Sequence, residues 1–124
     1  MEASQLAGLT VLVVEDEPLL ALEIAEALTA SGAHAVCARR IADAIQAVDL
    51  HQISAAVLDI NLGTEDCSVL CQHLSRRQIP FVFCTGYLAP PDGWADVPVI
   101  TKPAERTQIV EAVERLCGSH QEAA

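Results

Sequence analysis

The stretch "AAVLDINLG", residues 55–63, decides how the rest of the chain is read. Five of its first six residues are apolar and bury without difficulty. The exception, Asp59, is an ionisable group at the end of an otherwise buried run. An ionised carboxylate in that position costs free energy unless something pairs with it. A continuously apolar run of this length reads as a strand buried on both faces, the kind found in parallel sheets.

The flanking sequence repeats the theme. "LTVLVVED" at 9–16 is a second apolar, Val-rich run that ends in acids. "AHAVCAR" (33–39), "PFVFCTG" (80–86) and "VPVIT" (97–101) read as three more strands. Helical stripes lie between them. Pro18 suits a first helical turn and Gly32 the position past a helix end, with Leu20, Ile24, Ala27 and Leu28 on one face. Ile41, Ala44, Ile45 and Val48 form the next stripe, Cys67, Leu70, Cys71 and Leu74 another, and Ile109, Val113, Leu116 and Cys117 the last. Strands alternating with helices predict an α/β domain whose doubly wound, five-stranded parallel sheet is covered on both faces. One domain over residues 8–118 is expected, with flexible ends at 1–7 and 119–124.

Composition narrows the function. The formal net charge of −10 over 124 residues argues against nucleic-acid binding, which rests on Lys and Arg neutralising phosphates. No stretch approaches the roughly 20 apolar residues of a membrane span. "MEASQLAGLT" lacks the basic and apolar regions of a secretory signal. A soluble, cytoplasmic protein is the expectation. The five cysteines have no disulfide-like spacing, and Cys67, Cys71 and nearby His73 do not make a zinc motif. They read as free thiols in a reducing compartment.

In doubly wound sheets the ligand sits at the carboxyl ends of the strands. Polar groups gather there in this sequence. The first strand ends in Glu15 and Asp16, the third in Asp59, the fourth in Thr85 and Gly86, the fifth in Thr101 and Lys102. Clustered carboxylates repel one another and favour a divalent cation, and oxygen-only ligands suit Mg²⁺ or Mn²⁺. Asp59 is then placed to act as a nucleophile toward a phosphoryl donor, giving an aspartyl phosphate. The cation and Lys102 would neutralise the transferring oxygens, Thr85 would donate a hydrogen bond to one of them, and Gly86 would leave room for the group.

"VLVVEDE", "AAVLDINL", "FVFCTG" and "ITKP", in this order and spacing, resemble the response-regulator receiver domains of two-component signalling over nearly the whole chain. The resemblance implies a flavodoxin-like strand order 2-1-3-4-5. It implies Asp59 as phosphoryl acceptor, Asp16 as direct metal ligand, Glu15 as outer acidic partner and the Asn61 backbone carbonyl facing the metal. Thr85 becomes the switch hydroxyl, Lys102 the phosphate-contacting cation, and the Lys102–Pro103 bond cis. The phosphoryl group would come from a histidine kinase or a histidine phosphotransfer protein, and a protein partner would receive the signal. The chain would not be an enzyme in its own right.

Three departures stand out. Pro- and Gly-rich "GYLAPPDGWADVP" replaces the usual fourth helix, so that helix should be reduced to a short turn or missing. Val99 stands where the fifth strand usually has an aromatic, and Tyr87 follows the switch hydroxyl instead. "PFVFCTGY" is similar to the "PFxFATGY" signature of an atypical receiver subfamily, which makes Thr85, Gly86 and Tyr87 the switch candidates. Cys67 replaces a common Gly. Two other readings compete. "VLDINLGT" superficially resembles the Asp-x-Asp-Gly-Thr motif of haloacid-dehalogenase-type phosphatases, but Asn61 stands where their general acid is required. A phosphorylation-independent adaptor would keep the fold alone.

Overall fold

A computed structural model describes residues 6–62, 65–86 and 90–123, with side chains to residue 118. The five apolar runs form strands β1 (Thr10–Val14), β2 (His34–Ala38), β3 (Ala55–Leu58), β4 (Phe81–Thr85) and β5 (Val99–Thr101). All pair in parallel, in the order β2-β1-β3-β4-β5. Four helices among the described residues connect and cover them: α1 (Pro18–Ala30), α2 (Ile41–Leu50), α3 (Ser68–Arg76) and α4 (Arg106–Ala123). The doubly wound flavodoxin-like topology is the one expected. No helix lies between β4 and β5 among the described residues, as the Pro- and Gly-rich composition of that segment required.

The sheet divides the core in two, because successive side chains of a strand point to opposite faces. Leu12, Val14, Leu58 and Phe83 pack on one side with α2 and α3. Val11, Val13, Val57, Val82 and Cys84 pack on the other with α1 and α4. The central strands β1, β3 and β4 are buried almost throughout, whereas the edge strand β2 is half open, with His34 and Cys37 exposed. The helical stripes are close to those expected, rotated slightly. In α1 the buried set is Ala21, Ile24, Ala27 and Leu28, with Leu20 at the rim. In α2 Ala47 takes the buried place expected of Ile45.

Of the N-terminal end expected to be flexible at 1–7, residues 1–5 lie outside the described residues. Leu6, assigned to a flexible end, is fully buried in the α1/α4 half of the core. The Gly8 amide donates to the Gly32 carbonyl at 3.1 Å, which ties this entry segment to the end of α1. A single Leu ahead of a Gly carries no periodic signal, so its anchoring was invisible to pattern. At the other end the helical backbone of α4 continues to Ala123, past the boundary expected at residue 118.

Candidate functional site at the carboxyl ends of the strands

The site is assembled by register. Glu15 follows the last residue of β1, and its amide donates to the Ala38 carbonyl at 3.1 Å. Asp59 follows β3, its amide donating to the Val14 carbonyl at 2.9 Å. Lys102 follows β5, its amide donating to the Thr85 carbonyl at 2.9 Å. Each strand thus hands its first polar residue to its neighbour's tip. The parallel arrangement brings these residues together although up to 87 positions separate them in the chain.

One oxygen each from Glu15, Asp16 and Asp59 lies within 4.8 Å of the other two. Glu15 is 2% exposed and Asp59 6%, whereas Asp16 faces solvent. Three carboxylates that close, two of them buried, would not be tolerated without positive charge. Lys102 supplies it. Its Nζ donates to Glu15 Oε2 at 2.6 Å and to Asp59 Oδ2 at 2.8 Å. Backbone amides satisfy the remaining oxygens: Glu17 N donates to Glu15 Oε1 at 3.1 Å, and Asn61 N to Asp59 Oδ1 at 3.0 Å.

The ionisation of the cluster reflects this geometry. Burial pushes the Glu15 carboxyl above its ordinary value, and the hydrogen bonds from Lys102 and the Glu17 amide offset only part of that. Burial acts on Lys102 in the opposite sense, but its bonds to Asp59 and Glu15 prevail and its ammonium holds its proton beyond the usual range. The sequence assigns Lys102 to an incoming phosphoryl group and carries no direct sign of its pairing with Glu15. The indirect sign is that two acids buried at adjoining strand ends need a cation at all times.

The donor set fits a hard divalent cation. Every available side-chain ligand is a carboxylate oxygen, and Asp16 leaves one side open to solvent and to water ligands. Thr85 closes β4 and is fully buried. Gly86 is exposed, with open space where a Cβ would stand. Tyr87 lies outside the described residues. The Lys102–Pro103 bond is cis, as the resemblance implied. Cys67 and Cys71 are buried free thiols at the start of α3.

The loop after Asp59 is held at both ends. Leu62 is buried in the α2/α3 half of the core. Asp66 Oδ1 accepts from Ser68 N at 2.9 Å at the start of α3. Glu65 Oε1 accepts from Ile41 N at 3.3 Å, at the start of α2. This last contact spans 24 residues, and no local pattern could have shown it.

Comparison with known proteins agrees with the geometry. The family model described as the response regulator receiver domain matches residues 11–114. Among solved structures, SdrG from Sphingomonas melonis Fr1 is 33% identical, with 94% of this chain and 98% of that one covered at a TM-score of 0.77. A CheY-like receiver domain protein from Methanospirillum hungatei JF-1 shares 16% identity, with 95% and 100% covered and a TM-score of 0.84. The response regulator PhyR from Brucella abortus is 21% identical over 98% of this chain but only 52% of its own, at a TM-score of 0.79. No curated protein matches the chain. The chain belongs to the response regulator receiver domain family.

Proposed function

We propose that this receiver domain is a phosphorylation-switched signalling module in which Asp59 accepts a phosphoryl group from a histidine kinase or a histidine phosphotransfer protein. The observation that carries the reading is the setting of Asp59: a buried carboxylate at a strand tip, held by the Asn61 amide and the Lys102 ammonium within a cluster of acids. A buried acid kept for structure alone would be simpler to replace with an apolar residue.

In the transfer, an Asp59 carboxylate oxygen attacks phosphorus, the bond from phosphorus to the donor imidazole nitrogen breaks, and that nitrogen keeps the electron pair. Glu15, Asp16, Asp59 and the Asn61 carbonyl would hold Mg²⁺ or Mn²⁺, which supplies positive charge to the phosphoryl oxygens when bound. Lys102 already lies against the acceptor, so it is placed to follow the charge from carboxylate to phosphoryl group. The adduct adds a charge of roughly −2 and biases a two-state equilibrium. Thr85 and Gly86, with Tyr87 beyond them, are the proposed switch.

The module acts by binding a protein partner and has no catalytic output of its own. The charge of −10 supports a partner other than nucleic acid. No described helix is long and apolar enough to cross a membrane, which agrees with the cytoplasmic setting proposed here. "PFVFCTGY" and the lack of a described helix between β4 and β5 support placing the chain in the atypical subfamily. A purely phosphorylation-independent adaptor would have no need of Asp59, Thr85 and Lys102 together.

A titration followed by amide NMR tests the cation site. Millimolar Mg²⁺ should shift the amides of residues 15–17 and 59–61, and Asp16→Asn should abolish the response. No response in the wild-type protein would refute the assignment. Adding beryllofluoride with Mg²⁺ should then move Thr85 and Gly86.

A further inference from the structure

Helix α2 begins without a cap of its own. Arg40 precedes it in an extended conformation and contributes no side-chain hydrogen bond to the first turn. The first amides of a helix need acceptors from elsewhere, and the positive end of the helix dipole favours an anionic one. The Ile41 amide finds its acceptor in Glu65 Oε1, at 3.3 Å. Glu65 is half-buried there, and its own amide donates to the Leu62 carbonyl at 3.3 Å, folding the loop back on itself. Leu62 is sunk in the core beneath α2 and α3. One residue before Leu62, the Asn61 amide holds Asp59 Oδ1 at 3.0 Å. A single short path therefore runs from the start of α2, through Glu65 and Leu62, to the acceptor carboxylate.

We propose that Glu65 is a positioning residue for the cation site: by capping α2 it clamps the loop that holds Asn61 against Asp59. The proposal rests on the receiver reading for the cation, while the clamp itself is a property of the loop. Removing Glu65 leaves every presumed metal ligand in place. It frees the loop from α2, so that the Asn61 carbonyl and amide lose their fixed direction. Groups that orient the ligands of a metal cost about 10- to 100-fold in affinity when removed. The longer path and the half-exposed setting of Glu65 put this case at the lower end, about tenfold. Linkage also runs backward: a cation that gains from the clamp must tighten it.

Three arms decide the matter. In the wild-type protein, Mg²⁺ should slow hydrogen exchange at Ile41 as well as at Asn61, although Ile41 is no part of the acidic cluster. Glu65→Ala should weaken Mg²⁺ binding about tenfold and, without metal, speed exchange at Ile41 and Asn61 together. Glu65→Gln, which retains an oxygen acceptor, should restore most of both. Unchanged Mg²⁺ affinity in Glu65→Ala, or an Ile41 amide indifferent to Mg²⁺ in a wild-type protein that binds it, would overturn the proposal. A wild-type protein that ignores Mg²⁺ while Glu65→Ala still loosens Asn61 would overturn the receiver-site reading and leave the clamp.

Discussion

Lys102 is the hinge of the electrostatics, because one ammonium serves two buried acids. Truncating it leaves Glu15 and Asp59 facing each other with no cation. Breaking a buried pair from one side typically costs about 3–5 kcal/mol. Lys102 is itself 20% exposed, so water tempers the effect, and Lys102→Met should destabilise the metal-free protein by about 2–3 kcal/mol, with Mg²⁺ recovering much of it. Asp59→Asn should behave oppositely. It removes a like charge, keeps an oxygen for the Asn61 amide, and leaves Lys102 paired with Glu15. Denaturant unfolding of both variants without metal checks the ordering. The pH dependence follows from the same bridge. The folded state raises the Lys102 pKa above 10.5, so it holds that proton more tightly than the unfolded chain. The bridge's contribution is complete below 10.5 and is lost as pH rises through the raised value. Thermal unfolding of metal-free wild type should therefore fall more steeply above that pH than unfolding of Lys102→Met. Burial pushes the Cys84 thiol up to about 11 and Lys102 draws it down, so the comparison is made with Cys84→Ala in both proteins.

The segment between β4 and β5 separates what pattern can reveal from what it cannot. The absence of a helix among its described residues was legible, because Pro90, Pro91 and Gly93 refuse helical geometry whatever surrounds them. The carboxyl-end placement of Glu15, Asp59, Thr85 and Lys102 was legible too, because parallel strands of similar length bring their tips to one edge. Contacts that need a particular approach between elements were not: the Glu65–Ile41 bond, the burial of Leu6, the rotation of the α2 stripe toward Ala47. Nor was the docking of Trp94. Its ring sits 5.8 Å from that of Phe81 at 59°, and its backbone bonds Pro91 and Val97, each at 3.1 Å. Among its described residues the segment is held by the Trp94–Phe81 contact, the packing of Trp94 and Val97 on the α2/α3 half of the core, and a few turns. Such a segment should open at lower free energy than the strands it joins. Native-state exchange at Trp94 and Val97 should be faster than at Val82 and Phe83. Trp94→Ala should cost about 1–2 kcal/mol, an aromatic pair plus partial burial, without altering Mg²⁺ affinity. Equal protection of segment and strand would argue that the switch lies elsewhere.

The molecule as a whole is a sheet that isolates one reactive edge. Two apolar layers fix the strands, and the strands deliver acids, a hydroxyl and an ammonium to a single rim. The chain carries a net charge of −10, so an anionic phosphoryl donor approaches against the field unless cations screen it. Phosphorylation by a small anionic donor should accordingly quicken with ionic strength at fixed Mg²⁺. The assignment of Asp59 as acceptor stands or falls on where the phosphoryl group lands. Incubation with acetyl phosphate and Mg²⁺, followed by intact-mass and peptide mass spectrometry, answers this directly. One phosphoryl group per chain is expected, on Asp59, labile in alkali as an acyl phosphate is, absent when Mg²⁺ is chelated and absent in Asp59→Ala. An alkali-stable adduct on Ser, Thr or His, or an acyl phosphate that survives Asp59→Ala, would contradict it.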